Sequence, residues 1–143
     1  MASTAKTLTF VIPAYNMESY LDRCVNSLLS ASDISDLEVL IVDDGSKDGT
    51  LEYARKLTNR GAVRAIHQEN KGHGGAVNTG IAAATGMYVK VVDADDWVDP
   101  QAIDTVLATL RAQHDTDEPI DMLVTNYVYD KVAKRHKTVV NFR

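Results

Sequence analysis

Carboxylates gather directly after two apolar runs of this 143-residue sequence. The pair Asp43-Asp44 follows residues 37–42, and the group Asp93-Ala94-Asp95-Asp96 follows residues 87–92. If both runs are strands of one parallel sheet, these side chains meet at one edge, where their charges repel one another. A divalent cation would relieve that repulsion, and ligands that offer only oxygen favour Mg²⁺ or Mn²⁺ over zinc. The sequence therefore predicts a metal site at this edge.

Spacing divides the acidic residues into separate tasks. Asp93 and Asp95 are two positions apart, so in an extended stretch their side chains point to the same side. Such a pair can divide two tasks, with one carboxylate on a metal ion and the other on a sugar hydroxyl. Asp44 could accept the imide N–H of a uracil ring, and Tyr15 offers a flat face to the base. For Asp43 a local structural role stays open. For Asp96 we favour a cap on the next turn over metal binding.

A glycine-rich segment, Gly72-His73-Gly74-Gly75, precedes a stretch of helical periodicity. Glycine lets backbone N–H groups approach an anion closely at a helix N-terminus, so this segment predicts a phosphate contact, to which His73 could add. No Gly-Lys-Ser/Thr follows, and the Gly-x-Gly-x-x-Gly spacing is absent, so neither a P-loop nor a dinucleotide site is indicated. His67 has no second His or Cys at ligand spacing and is predicted to be a surface residue at a strand end.

Four apolar runs of strand length alternate with segments of helical periodicity. The predicted strands are Leu8–Pro13, Leu37–Val42, Ala62–His67 and Met87–Val92. Apolar residues at helical spacing mark the helices between them: Leu21, Cys24, Val25, Leu28 and Leu29 in a first helix of about four turns, Leu51, Ala54 and Leu57 in a second, Val77, Ile81 and Ala84 in a third, and Ile103, Val106, Leu107 and Leu110 in a fourth. This alternation predicts an α/β fold, with a mostly parallel sheet and helices on both faces.

Turn and cap residues complete the assignment. Asp48 or Ser46 is expected to cap the second helix, and Asp99-Pro100 the fourth. Residues 120–129 and 138–142 are predicted to be strands, the last antiparallel to its neighbour. No linker divides the chain, so residues 1–143 are expected to form one domain.

Composition bounds the function. Apolar residues make up 45% of the chain and charged residues 24%, as in soluble globular proteins. The net charge of −5 argues against a nucleic-acid partner, because phosphate backbones select basic surfaces. Cys24 is the one cysteine, so an internal disulfide is impossible, and we expect it to pack in the core. No apolar run approaches the length of a membrane span, and a cytoplasmic location is expected.

The order of the motifs resembles the N-terminal half of the family 2 glycosyltransferases, which have the GT-A fold. The matching segments are residues 11–16 (VIPAYN), 42–50 (VDDGSKDGT), 70–72 (NKG), 78–81 (NTGI), Gly86 and 92–97 (VDADDW). The resemblance covers residues 8–100. Each segment alone is common, but the ordered set is specific.

The resemblance implies a donor site for a nucleotide-sugar, with UDP as the best fit. In this interpretation Pro13, Tyr15 and Asp44 hold the nucleobase, Glu18 reaches the base or ribose, Lys71 and Gly72 lie near the diphosphate, and Asp93 and Asp95 form the Asp-x-Asp motif, with Asp95 as the preferred direct ligand of Mg²⁺ or Mn²⁺. It also implies inverting transfer to a hydroxyl of a saccharide or lipid-linked acceptor, in the synthesis of cell-surface polysaccharide or glycolipid. A full-length protein could then associate peripherally with the inner face of the cell membrane.

Two departures from the family pattern limit this transfer of roles. Val77 precedes Asn78 where many relatives have Arg, and no acidic motif matching the catalytic base is found before Arg143. We therefore expect a fragment truncated at its C-terminus, which binds donor and transfers sugar poorly.

Three alternatives stay open at the sequence level. The chain could be a nucleotide-binding module without catalysis. It could be a Mg²⁺-dependent receiver domain, although that class needs an acidic pair after the first strand. It could be a sugar nucleotidyltransferase, although the expected Gly-rich, Arg-containing loop after the first strand is absent.

Overall fold

A computed structural model describes residues 5–131 and 133–142. Residues 1–4, 132 and 143 of the predicted domain lie outside the described residues. The chain divides into two compact units, one ending at Ala112 and one beginning at Gln113. The single-domain assignment stays a prediction.

Four parallel strands form the sheet of the first unit. They are β1 (Leu8–Ala14), β2 (Leu37–Asp43), β3 (Val63–His67) and β4 (Tyr88–Val91), in the order β3-β2-β1-β4. The two central strands, β1 and β2, are buried along their whole length, as continuous apolar runs predict for strands covered on both faces. The order reverses beside β1, because β2 and β3 extend to one side of it and β4 lies on the other.

Four helices connect or follow these strands: α1 (Leu21–Leu28), α2 (Thr50–Leu57), α3 (Gly72–Ala83) and α4 (Pro100–Arg111). The predicted four turns for α1 are wrong, because the helix has eight residues, about two turns. Residues before it form separate turns, in which the N–H groups of Tyr20 and Leu21 both donate to the carbonyl of Met17.

Two residues that the sequence predicts as helix caps, Asp99 and Asp48, bond to the first N–H groups of α4 and α2. Asp99 caps α4, where its Oδ1 accepts from the N–H groups of Gln101 and Ala102 at 2.9 and 3.0 Å, as predicted. At α2, Asp48 supplies the predicted hydrogen bond from outside the helix, because its Oδ1 accepts from the Thr50 N–H at 3.0 Å while Gly49 holds the cap position.

Helices cover both faces of the sheet. On one face Phe10 and Ile12 pack in a cluster with apolar residues of α1, α2 and α4, among them Cys24, which is buried as predicted. On the other face Val11, Leu40 and Val42 pack against Ala76 of α3. Helix α3 lies close to β1 at Gly80. An added Cβ at this glycine would stand 2.2 Å from Val11 Cγ1.

The second unit contains a two-stranded antiparallel sheet, β5 (Tyr127–Tyr129) and β6 (Thr138–Val140). The antiparallel pairing is confirmed, but only the last three residues of the predicted strand 120–129 are extended and paired. The rings of Tyr127 and Tyr129 meet edge to face, with centroids 5.3 Å apart. Within the described part of the chain, no helix is long and apolar enough to cross a membrane.

Candidate functional site

A cavity of about 420 Å³ opens at the carboxyl ends of the central strands, beside the point where the strand order reverses. Ligands of open α/β sheets bind at this place. Its lining combines the end of β1, the loops after all four strands and the beginning of α3: Pro13, Ala14, Tyr15, Met17, Asp44, Asn70, Gly72, His73, Ala76, Asp93, Ala94 and Asp95. The structure thus brings together six of the eight predicted site residues: Pro13, Tyr15, Asp44, Gly72, Asp93 and Asp95.

The loop after β1 is tied to the loop after β2. Asn16 has a positive φ of 53°, and its N–H donates to Ser46 Oγ at 3.0 Å while its Oδ1 accepts from the Lys47 N–H at 2.8 Å. These bonds hold Tyr15, a residue that is 40% exposed, on the same cavity as Asp44. A half-exposed aromatic ring in such a position can stack on a planar ligand.

Asp44 is a buried carboxylate, 2% exposed, that lines the cavity. Its Oδ1 accepts from Gln68 Nε2 and from the Lys71 N–H, both at 2.8 Å. Burial alone would raise the pKa of Asp44, but these donors and the nearby Gly72 N–H lower the pKa below its ordinary value. Asp44 is therefore an ionised acceptor, suited to a ligand group that donates an N–H.

Asp43, the neighbouring carboxylate, has a local structural environment. It is fully buried, and its Oδ2 lies 2.8 Å from His67 Nδ1. Its Oδ1 accepts from the Ser46 N–H at 3.3 Å. His67 stands at a strand end with its ring half exposed, so the predicted surface position is right. The hydrogen-bonding contact between its ring and Asp43 was not predicted from the sequence.

The beginning of α3 faces the acidic loop after β4 across the cavity. Gly72 has a positive φ of 79°, a conformation that favours glycine. His73 Nε2 lies 3.9 Å from Asp93 Oδ1, with both side chains largely exposed. His73 lines the cavity, but its ring faces the Asp93 carboxylate. Its predicted contact with a phosphate stays a prediction.

The loop after β4 presents an acidic group. One carboxylate oxygen from each of Asp93, Asp95 and Asp96 lies within 4.8 Å of the others, and all three residues are exposed. The predicted extended stretch is wrong: residues 93–96 form a turn closed by the Asp96 N–H donating to the Asp93 carbonyl at 2.9 Å. The Asp96 carboxylate joins the acidic group, and its preferred capping role stays a prediction.

The loop that carries the acidic group contacts Cys24 of α1. The Cys24 thiol lies 3.6 Å from the Asp93 carbonyl oxygen. Burial, followed by the charges of Asp96, Asp95 and Asp93, raises the pKa of Cys24 to about 12, so this thiol stays neutral and serves packing. Partial desolvation and the charges of Asp95 and Asp93 likewise raise the pKa of Asp96. The loop thus concentrates negative charge that a bound cation would neutralise.

The residues at this loop fit a hard divalent cation. Three exposed carboxylates offer oxygen ligands alone, which suits Mg²⁺ or Mn²⁺. Asp93 and Asp95 also line the cavity, so a cation held there would face a ligand lying between this loop and α3. Carboxylates on one side of an ion, with open positions toward a cavity, are typical of sites where the metal meets a phosphate.

Glu18 and Lys71 lie beside the cavity lining instead of in it. Glu18 Oε2 accepts from the Gly49 N–H at 3.1 Å, and an added Cβ at Gly49 would stand 2.5 Å from Glu18 Oε1. Lys71 uses its main-chain N–H on Asp44, and its Cβ would be 2.5 Å from an added Cβ at Gly75. Their predicted contacts with base, ribose or diphosphate stay predictions.

Two residues that support Asp44 were missed at the sequence level. Gln68 directly follows β3, as Asp44 follows β2, and its side chain donates to Asp44. Thr79, inside α3, donates its hydroxyl to Gln68 Oε1 at 2.6 Å. The position of Gln68 at a strand end is a signal that could have found it, whereas nothing in the sequence marks Thr79.

Comparison with known proteins identifies the class to which this fold and site belong. The sequence model of glycosyl transferase family 2 matches residues 9–134. The chain belongs to glycosyl transferase family 2 and carries a glycosyltransferase domain of the GT-A fold, which confirms the predicted family and fold. Membership in this family decides against the receiver-domain alternative.

Individual relatives agree with the family assignment. Chondroitin synthase of Escherichia coli is 43% identical over 105 residues, which are 73% of this chain and 15% of that protein. Among solved structures, S. aureus TarS 1–349 in complex with UDP-GlcNAc matches with a TM-score of 0.69 and 29% identity, over 76% of this chain and 32% of that one. The mannosyltransferase PcManGT of Pyrobaculum calidifontis, in complex with GDP-Man and Mn²⁺, matches with a TM-score of 0.65 and 27% identity, over 76% and 32% of the two chains.

The chain spans a minor part of these relatives, from 15 to 33% of the length of the first curated proteins it matches.

Proposed function

We propose that the cavity binds a nucleotide-sugar donor, with UDP-sugar as the preferred class, and that the protein transfers the sugar with inversion to a hydroxyl acceptor. The observation that carries the proposal is the pairing, on one cavity, of an ionised and buried Asp44 beside Tyr15 with the acidic pair Asp93 and Asp95 on the opposite loop. The first pair suits a nucleobase, and the second suits a cation that accompanies a diphosphate.

The base end of the site depends on Asp44. A carboxylate that is already ionised accepts a hydrogen bond from a ring N–H, which uracil and guanine both present and cytosine lacks. Tyr15 and Pro13 offer apolar surface beside it, so the base can stack while the carboxylate selects its edge. Solved relatives are complexes of UDP-GlcNAc and of GDP-Man, and each of these donors carries such a base.

The diphosphate end depends on the loop after β4 and the beginning of α3. Asp93 and Asp95 would hold Mg²⁺ or Mn²⁺, which when bound stabilises the negative charge of the departing nucleoside diphosphate. PcManGT is described in complex with Mn²⁺, which supports this proposal. Across the cavity, Gly72 and His73 border the space in which the phosphates would lie.

The acceptor and the cellular setting are proposed at the level of class. Relatives named chondroitin synthase support a saccharide acceptor, and a lipid-linked acceptor at the cytoplasmic face of the cell membrane fits the same class of reaction. We assign no catalytic base among residues 5–131 and 133–142. We propose that these residues supply donor and metal binding.

Calorimetric titration with UDP and GDP, with and without Mn²⁺, tests the proposal. We expect one of the two nucleotides to bind in the presence of Mn²⁺, and Asp95→Ala to abolish the metal-dependent part of the binding. Asp104→Ala is the matched control, because Asp104 of α4 is a partly exposed carboxylate that accepts hydrogen bonds from Ser32 and does not line the cavity. Absence of binding by folded wild-type protein, or equal loss in both variants, would overturn the proposal.

A further inference from the structure

Two consecutive hydrogen bonds connect three side chains, from the middle of α3 to the cavity lining. The Thr79 hydroxyl donates to Gln68 Oε1 at 2.6 Å, and Gln68 Nε2 donates to Asp44 Oδ1 at 2.8 Å. The three residues lie on α3, after β3 and after β2. Only Asp44 lines the cavity, so Gln68 and Thr79 can act on a ligand only through it.

The direction of this chain is fixed by chemistry. An ionised carboxylate only accepts hydrogen bonds, so the amide nitrogen of Gln68 must face Asp44, which leaves the amide oxygen to accept. The Thr79 hydroxyl has one proton and two acceptors, Gln68 Oε1 at 2.6 Å and the Gly75 carbonyl at 3.0 Å. The shorter contact takes the proton and locks the amide of Gln68 in the orientation that Asp44 needs.

Asp44 depends on this orientation because it is nearly fully buried. Its Oδ1 accepts from two donors, the Gln68 side chain and the Lys71 N–H. The Lys71 N–H is fixed by the backbone, whereas the Gln68 side chain has three rotatable bonds before its amide. Loss of the Thr79 hydroxyl would free that amide to turn, and the carboxylate would lose the hydrogen bond from Gln68.

We propose that Gln68, oriented by Thr79, is the positioning residue for Asp44, and that this three-residue chain sets the preference for a nucleobase with a ring N–H. The inference rests on the proposed function, since it assigns Asp44 to the base. Neither Gln68 nor Thr79 touches the ligand in this account. Their effect is transmitted by the direction and ionisation of the Asp44 carboxylate.

The test compares the affinities of UDP, GDP and CDP, with Mn²⁺ present, for wild type, Thr79→Val and Thr79→Ser. Valine has the shape of threonine without the hydroxyl, and serine keeps the hydroxyl. We expect Thr79→Val to weaken binding of the preferred nucleotide about tenfold, with less than twofold effect on CDP, and Thr79→Ser to keep the wild-type ratio. A merely structural role of Thr79 would weaken all three nucleotides alike.

A double-mutant cycle tests whether Thr79 acts through Gln68. In a Gln68→Ala background, Thr79→Val should change the affinity for the preferred nucleotide by less than twofold, because the intermediary is gone. Independent, additive losses would overturn the inference. Thr105→Val is the matched control, since the Thr105 hydroxyl makes the same kind of bond to a carbonyl four residues earlier in α4, at 3.2 Å to Gln101.

The outcomes separate the inference from the function on which it rests. If wild type binds none of the three nucleotides, the proposed function fails and the inference fails with it. If wild type prefers UDP or GDP over CDP and Thr79→Val keeps that preference, the inference alone fails. Circular dichroism of each variant confirms that a loss of affinity is measured on folded protein.

Discussion

At the scale of single residues, the two carboxylates that end β2 have different surroundings. Asp43 is fully buried and is bonded to His67 and to the Ser46 N–H, all within the fold. Asp44, one residue later, lines the cavity. Successive side chains of an extended segment point to opposite sides. For this reason a single Asp-Asp dipeptide can serve the fold with its first member and a ligand with its second.

We expect Asp43→Ala to lower the free energy of unfolding by about 1–3 kcal/mol, because it leaves the partly buried Ser46 N–H and the His67 imidazole without their acceptor. Urea denaturation followed by circular dichroism measures the change. His67→Ala should have a smaller effect, since that ring is half exposed. An unchanged free energy of unfolding in Asp43→Ala would contradict the structural role.

Much of the site was predictable at this scale because unusual residues follow strands. Pro13, Tyr15, Asp44 and the Asp93–Asp95 pair stand at strand ends, where an α/β sheet collects its ligands. The role of Thr79 could not be predicted, because it depends on a contact between α3 and the end of β3 that no local pattern encodes. The turn that brings Asp96 beside Asp93 was not predicted for a similar reason, since these residues look in sequence like the approach to a helix.

At the scale of elements, α3 can pack closely against β1 because Gly80 has no side chain. An added Cβ at Gly80 would stand 2.2 Å from Val11 Cγ1, below any ordinary contact distance. Both residues are buried, so the helix must shift to accept a methyl group. Because α3 also presents Gly72 and His73 to the cavity, a shift of this helix would move one wall of the site.

Gly80→Ala is expected to destabilise the protein by about 1–3 kcal/mol through overpacking, although alanine is the better helix former by about 1 kcal/mol. Gly74→Ala is the control in the same helix. Nothing lies within 4 Å of an added Cβ there, so we expect unchanged or slightly increased stability. Thermal denaturation of both variants measures the difference.

A second substitution tests the stated cause. Val11→Ala removes the two methyl groups nearest Gly80, so adding it to Gly80→Ala should cost less than it does in wild type. If the two losses were simply additive, the clash with Val11 would not be the reason for the destabilisation.

An ion pair links the end of α4 to the turn before β2. Arg111 donates from Nη2 and Nε to the two oxygens of Asp36, at 2.6 and 2.9 Å. The Arg111 hydrogen bonds, with help from Thr7 and against the opposing effect of burial, lower the pKa of Asp36 to about 2. A carboxyl with a depressed folded-state pKa stabilises the fold above its unfolded value and loses that contribution as pH falls.

We therefore expect the Asp36 contribution to be complete above about pH 4 and to be lost between about pH 4 and pH 2, with a magnitude of about 1–2 kcal/mol after allowance for partial exposure. Urea denaturation at a series of pH values measures it. In Asp36→Asn the corresponding part of the acid-induced loss should disappear. An identical pH dependence in wild type and variant would show that Asp36 is not responsible.

Element types were predictable and element lengths less so. Continuous apolar runs identified β1 and β2 because both strands are buried on both faces. The length of α1 was overestimated, since apolar residues before and after it pack in the core from turns: Met17 and Leu29 join the same cluster without belonging to the helix. Periodicity reports burial on one side, and irregular turns can also bury their side chains.

At the scale of the whole molecule, the faces of the parallel sheet carry the helices and its carboxyl edge carries the cavity. Three helices pack on one face and α3 on the other, so the carboxyl edge of the sheet is left open for the cavity. All described cavity residues belong to the unit that ends at Ala112. The sequence predicted this arrangement, because strands alternating with helices specify a parallel sheet and a parallel sheet places all its strand ends on one edge.

Ligand binding at this edge should stabilise the whole unit by mass action. With UDP or GDP at one hundred times its dissociation constant and Mn²⁺ present, the free energy of unfolding should rise by about 2.7 kcal/mol. Differential scanning calorimetry would record this as a higher melting temperature. The rise should vanish in Asp95→Asn, and a rise that persists there would place the ligand elsewhere.

The central claim, that this cavity holds a nucleotide together with a divalent cation, is tested most directly by NMR with paramagnetic Mn²⁺. In the presence of the nucleotide that binds, we predict that substoichiometric Mn²⁺ broadens the amide signals of residues 93–96 and 72–76 first, and that Asp95→Asn removes this pattern. Broadening that is independent of nucleotide, or that appears first at other acidic segments such as residues 115–118, would contradict the account.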